Sequence, residues 1–165
     1  MTETKAKTPK KRPAKAVSRS AARLGAVQAL YQMELSGRGL KGILAEYASE
    51  RLGETFEDGD CGKADFPFLK DTLEGVLREQ KTLDVKLNEY LSDSWKLPRL
   101  DATMRAILRA AAYELQFRHD VPARVTITEY IDVTKAFFEK EEAKFVNGVL
   151  DRYARWVRED EMKPK

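Results

Sequence analysis

The stretch AKFVNGVLDRYARWVRED, from Ala143 to Asp160, holds the pair Asn147-Gly148 near its N-terminal end. In isolation Asn-Gly is the strongest short-range signal for a β-hairpin turn. The flanking residues do not alternate as strands require. Apolar side chains fall at Phe145, Val146, Val149, Leu150, Tyr153, Trp156 and Val157, the spacing of one helical face. The stretch is therefore read as a helix with a glycine in its interior, at a cost of about 1 kcal/mol relative to alanine. On a helical wheel, Val149, Leu150, Tyr153 and Val157 cluster inward, Phe145 and Trp156 lie at the edge of that stripe, and Lys144, Gly148, Asp151 and Arg155 fall on the polar side. Gly148 leaves a notch beside a cation and an aromatic ring. Two readings of the notch stay open. A nucleotide base could stack on Phe145 while its phosphate meets Lys144 and Asn147 offers an amide. Alternatively, Gly148 lets another helix approach closely and Phe145 belongs to the core.

Outward from this helix the same periodicity recurs. Ser18 or Ser20 can cap a first helix running to about Leu35, with Val27, Leu30, Tyr31 and Leu35 inward. After Ser36-Gly37-Arg38-Gly39, a second helix is expected near Leu40–Leu52, burying Ile43, Leu44 and Tyr47. Residues 53–64, with Gly53, Gly59 and Gly62 among acids, read as a loop. A third stretch from Asp65 to about Leu91 is one long helix or two, with Phe68, Leu69, Leu73, Val76, Leu77, Leu83, Leu87 and Leu91 inward. Residues 92–98 connect it to a helix over Ala102–Arg118 that Asp101 can cap, with Met104, Ile107, Leu108, Ala111 and Leu115 on one stripe. His119-Asp120-Val121-Pro122 breaks that helix, and Thr126 or Thr128 starts another carrying Ile127, Ile131, Thr134 and Phe138. No paired strands or βαβ pattern are read, so the fold class is all-α: a compact bundle of about seven helices.

Charge divides the chain unevenly. Residues 1–23 carry eight basic residues and one acid, whereas the remainder carries twenty-two basic and twenty-six acidic residues. Residues 1–17 have almost nothing to bury and read as a disordered basic tail; residues 18–160 form the helical domain. A basic arm on a mildly acidic body suits a polyanion, nucleic acid first, or serves only as a solubilising tail.

The chemistry of an enzyme is missing from the sequence. There is no Walker loop, no G-x-G-x-x-G and no nucleophile elbow. One cysteine (Cys61) and one histidine (His119) cannot supply a four-ligand structural zinc site or an internal disulfide, which fits a reducing cytoplasm. His119 reads as a helix C-terminal residue. No apolar run is long enough for a transmembrane helix, and the N-terminus lacks a secretory apolar core. No catalytic residue, metal or cofactor is assigned; a binding module is expected.

KFVNGVLD (Lys144–Asp151) resembles the signature of the NusB family of bacterial transcription antitermination factors. AVQALYQ (Ala26–Gln32), WKLPRLDATMRAILRAAAYEL (Trp95–Leu115) and DVPARVTITEYIDVTKAFF (Asp120–Phe138) resemble its first, central and following segments in the same order. The resemblance covers about Ser18 to Val157. It implies two small helical subdomains, no catalytic activity, and a pairing with NusE, a small-subunit ribosomal protein. That pair binds single-stranded boxA RNA in ribosomal RNA operon leaders and, with NusA, NusG and RNA polymerase, makes elongation resistant to termination.

The resemblance also assigns residues. For RNA it implies Arg19 and Arg23 of the first helix, Tyr31, Glu141, Lys144, Phe145, Asn147 and Gly148. Ser20 and Ala21 stand where arginines are common, and Lys10, Lys11, Arg12 and Lys15 of the tail could compensate. For NusE it implies the helix face with Asp101, Met104, Arg105 and Leu108, Met104 standing where a glutamate is common. Two alternatives remain. One is an accessory to ribosomal RNA modification, since some cytosine methyltransferases carry a NusB-like domain, although this sequence reaches Lys165 without a Rossmann-like partner. The other is an interaction module that forms a homodimer, as some relatives do.

Overall fold

A computed structural model of the protein describes residues 14–51 and 64–164, with side chains for 18–49 and 64–164. Among the described residues seven α-helices follow one another: α1 (Ala14–Ser36), α2 (Leu40–Glu46), α3 (Phe66–Glu89), α4 (Ala102–Phe117), α5 (Ala123–Phe137), α6 (Lys140–Val157) and the short α7 (Glu159–Met162). No strand occurs among the described residues. A π-helical turn, Tyr47–Arg51, follows α2, and two 3-10 turns, Asp93–Trp95 and Leu97–Arg99, join α3 to α4.

Local chemistry explains the boundaries. The α1 helix ends at Gly37, whose φ of 73° is the left-handed conformation that glycine adopts without steric cost, and whose N–H bonds the Met33 carbonyl. Asp65 caps α3 by accepting from the Phe68 N–H at 3.0 Å, and Asp101 caps α4 by accepting from the Thr103 N–H at 2.8 Å. A reciprocal capping box of Glu139 and Glu142 starts α6. The third stretch is one uninterrupted helix.

Two boundary expectations and one burial expectation are corrected. Helix α1 begins at Ala14, so residues 14–17 of the stretch read as disordered are helical; residues 1–13 lie outside the described residues, as do 52–63. Helix α5 starts at Ala123, with Pro122 at its N-cap, ahead of either expected threonine. Thr126 is thereby placed inside the helix, buried. On α1, Tyr31 and Leu35 are exposed, and the inward face is built from Ala22, Arg23, Ala26, Val27, Ala29 and Leu30.

Helix α4 is the hub. It packs against α1 and α3 on one side and against α5 and α6 on the other, and its residues Ala106–Leu108 and Ala110–Leu115 are all buried. The α1–α3 group and the α4–α7 group thus share one continuous apolar core. Helices α3 and α4 meet closely at Gly75. A Cβ added to Gly75 would lie 2.1 Å from the Tyr113 ring, so this glycine, and not Gly148, is the one that a helix approach requires. Among the described residues, the atom that a Cβ on Gly148 would meet outside the local helix backbone is a guanidinium nitrogen of Arg152, at 3.8 Å. The packing explanation for Gly148 is therefore set aside.

Candidate functional site

The outer face of α6 and the ends of the neighbouring helices form a cleft of about 300 Å³. Its apolar walls are Trp95, Leu100, Met104, Phe138 and Phe145, and its carboxylates are Asp101, Glu141 and Glu142. The folding of the site is local at each wall. The 3-10 turn presents Trp95, the cap of α4 presents Asp101 with Met104 one turn on, and the capped first turns of α6 present Glu141 and Phe145. Asp101 and Glu142 hold backbone N–H groups of their own caps. Glu141 is exposed and has no bonding partner among the described residues.

Beside the cleft, Phe145 is half-buried and packs against the core edge. Lys144 and Asn147 are exposed, and Lys144 has no ion pair among the described residues. The face therefore offers an aromatic edge, an uncompensated ammonium, an amide and an open backbone position within two helical turns. Two groups of expected residues meet here: Glu141 and Phe145, expected for RNA, and Asp101 and Met104, expected for NusE, line the same cleft.

Other expected residues are not available at a surface. Arg23 is buried. Its Nε and Nη2 donate to the Glu114 carboxylate at 2.7 to 3.2 Å, and its Nη1 donates to Glu129 at 3.2 Å. Burial alone would lower the Arg23 pKa, but the hydrogen bonds and charge of Glu114 outweigh it and hold the guanidinium above its ordinary value. Arg23 is thus an internal cation that ties α1 to α4 and α5, not a phosphate ligand. Leu108 is fully buried and Met104 almost so; Leu108 is core, and Met104 reaches only the cleft wall. Arg105 is held by Glu34 and by the carbonyls of Leu97 and Leu100, so it positions the 3-10 turn against α1 and α4.

Arg19 stays half-exposed, 3.5 Å from both Asp65 and Asp120 and 4.6 Å from the centre of the Phe68 ring. Tyr31 is exposed on α1. Lys10, Lys11 and Arg12 lie outside the described residues, as does the Lys15 side chain. His119 is exposed, with its Nε2 2.9 Å from the Gln116 carbonyl at the end of α4, as its helix C-terminal reading expects.

Sequence reasoning missed Trp95 and Phe138 as cleft walls; an exposed tryptophan in a short connection was the available signal for the first. It also missed Arg158, which is buried and donates to the carbonyls of Leu115, Val121 and Arg118, tying the end of α6 to the end of α4. Among the described residues no cluster of His, Cys, Asp and Glu is arranged to hold a metal. No described helix is long and apolar enough to cross a membrane.

The model of the NusB family matches residues 20–155. The chain belongs to the NusB family. It is 49% identical over 157 residues to the transcription antitermination protein NusB of Sinorhizobium fredii, covering 94% of this chain and 98% of that one. With the NusB of Bradyrhizobium diazoefficiens it shares 50% identity over 147 residues, 89% of either chain. Among solved structures, T. maritima NusB superposes with a TM-score of 0.71 at 32% identity, over 87% of this chain and 95% of that chain. A complex of antitermination factors NusB and NusE with dsRNA superposes with a TM-score of 0.69 at 24% identity, over 84% of this chain and 97% of that chain, a likeness of fold. The NusB family is a family of RNA-binding transcription factors and not of enzymes, in keeping with the absence of catalytic motifs from the sequence.

Proposed function

We propose that the protein is a cytoplasmic transcription antitermination factor that binds boxA RNA of ribosomal RNA operon leaders jointly with NusE, in a complex completed by NusA, NusG and RNA polymerase. The observation that carries the RNA part is the outer face of α6, where Lys144 lacks a carboxylate partner, Phe145 stands at the edge of the core and Gly148 leaves the backbone open. Single-stranded RNA is held by such combinations of a cation for the phosphate and an aromatic face for the base. Asn147 and Glu141 add an amide and a carboxylate that can read the edges of an unstacked base.

The shared cleft supports joint binding. Asp101 and Met104 at its α4 wall belong to the NusE side and Phe145 at its α6 wall to the RNA side, so each partner completes a wall for the other. Arg19 and Tyr31 on α1 are further candidates for RNA contact; the buried Arg23 is not. The test is a polarisation titration of labelled boxA RNA against the protein alone and with NusE. Weak binding alone and much tighter binding with NusE is the expected result, and an affinity unmoved by NusE would refute the joint reading.

A further inference from the structure

The outer face of α6 continues past the positions considered so far. Trp156 lies eleven residues beyond Phe145, which at about 100° per residue returns it to within about 20° of the same direction, about 16 Å further along the axis. It is 47% exposed. Tyr153 meets the indole edge-on at 5.7 Å between ring centres, and the Lys86 ammonium of α3 lies 4.1 Å from its centre. Between the two aromatics, Arg152 folds back so that its Nε donates to the Gly148 carbonyl at 3.3 Å, and it has no carboxylate partner among the described residues. Two carboxylates flank this line, each already engaged: Asp151 accepts from Arg155 at 2.7 Å and Glu89 from Lys86 at 2.9 Å. Lys144 and Arg152 are left as uncompensated cations.

We infer that Trp156, backed by Lys86, is a second stacking platform for single-stranded RNA, with Arg152 holding the phosphates that cross the Gly148 notch. The inference rests on the reading of Phe145 as the first platform. An aromatic ring every few nucleotides with cations between is how such surfaces track a strand without reading its sequence. The distance between the rings corresponds to about five stacked steps at about 3.4 Å each. We place the nucleotides at Trp156 about five steps from the base at Phe145 and beyond the element that it contacts, the placement that extending the RNA tests. Spare area alone would not argue for RNA here; the continuity with Phe145, the cation on the indole and the two unpaired basic residues do.

The test compares boxA RNA with boxA RNA extended by about six uridines at either end, enough to span the rings, each titrated with NusE present. For the parent protein at least one extension should tighten binding about tenfold. Trp156→Leu should abolish that gain while leaving the affinity for unextended RNA unchanged, and Trp156→Phe, which keeps an aromatic face, should retain most of it. Arg152→Ala should also reduce the gain. A parent protein indifferent to RNA length, or a Trp156→Leu protein that keeps the gain, would overturn the inference, as would failure of both RNAs to bind. Failure of the underlying reading is seen separately, on unextended RNA alone, as a Phe145→Ala protein that binds it like the parent.

Discussion

Arg23 and Glu114, ninety-one positions apart in the sequence, form a buried ion pair in which the guanidinium donates through Nε and Nη2 to one carboxylate. Thr126 of α5 donates to the same carboxylate at 2.9 Å. Three helices therefore meet on one buried negative charge. Removing one partner of such a pair leaves the other charge uncompensated, at a cost of about 3–5 kcal/mol. Arg23→Ala should lose stability on that scale in urea unfolding. Where the variant is still folded, its RNA affinity should match the parent, because the side chain never reaches the surface.

The two glycines on α3 and α6 should respond oppositely to alanine. Gly148→Ala meets only the Arg152 guanidinium, at ordinary van der Waals distance, and gains helix propensity, so it should raise stability by up to about 1 kcal/mol. If the notch faces RNA, the same change should weaken boxA binding. Gly75→Ala drives a methyl into the Tyr113 ring and should destabilise by about 1–3 kcal/mol or more. Melting curves of both variants check the pair.

Acid stability follows from Asp120. Hydrogen bonds from the Arg118 guanidinium, 3.0 Å away on two nitrogens, hold this carboxyl well below the usual carboxylate range. The folded protein therefore releases this proton more readily than the unfolded chain does. The stabilisation is complete above about pH 5, where an unperturbed aspartate is almost fully ionised, and is lost progressively as pH falls below that. Glu34 shifts the same way through Arg105. Asp120→Asn should flatten the fall of melting temperature below pH 4 and change little of the slope near neutrality. A variant with the parent's acid slope would show that the carboxylate is not part of the linkage.

Much of this architecture is legible in the sequence, because helix caps and apolar stripes are local signals. Asp65 and Asp101 stand where a cap is needed, and the spacing from Phe68 to Leu87 already describes one face of α3, except that Leu77, expected inward, is exposed. The errors come where tertiary pairing decides. Nothing near Arg23 distinguishes it from the basic residues of the tail; only Glu114 and Glu129, brought over by α4 and α5, turn it inward. Leu108 and Met104 sit on the expected α4 stripe, but that stripe is covered by α1, α3, α5 and α6 and leaves only the edge of Met104 at the cleft. The cleft itself joins residues from three separate segments, and no periodicity within any one of them announces the others. Gly148 is the converse case. Its sequence context admits packing or exposure, and only the absence of a neighbouring helix around it, among the described residues, decides.

Lys144 and Phe145 should separate by mechanism. Lys144→Ala removes one phosphate contact, so the slope of log affinity against log salt should fall by about 0.7 for a single strand. The loss should be the same on boxA and on a scrambled RNA, and thermal stability should not change.

The most direct measurement is a paired melting curve and boxA titration of Phe145→Ala with NusE present. Because the ring is half-buried at the core edge, the destabilisation should fall short of the about 3–5 kcal/mol of a core phenylalanine. RNA affinity should drop by about 1–3 kcal/mol, with the preference for boxA over the scrambled control reduced. A Phe145→Ala protein that melts far below the parent yet, while folded, binds boxA with the parent's affinity and preference would contradict the account and return the ring to the core.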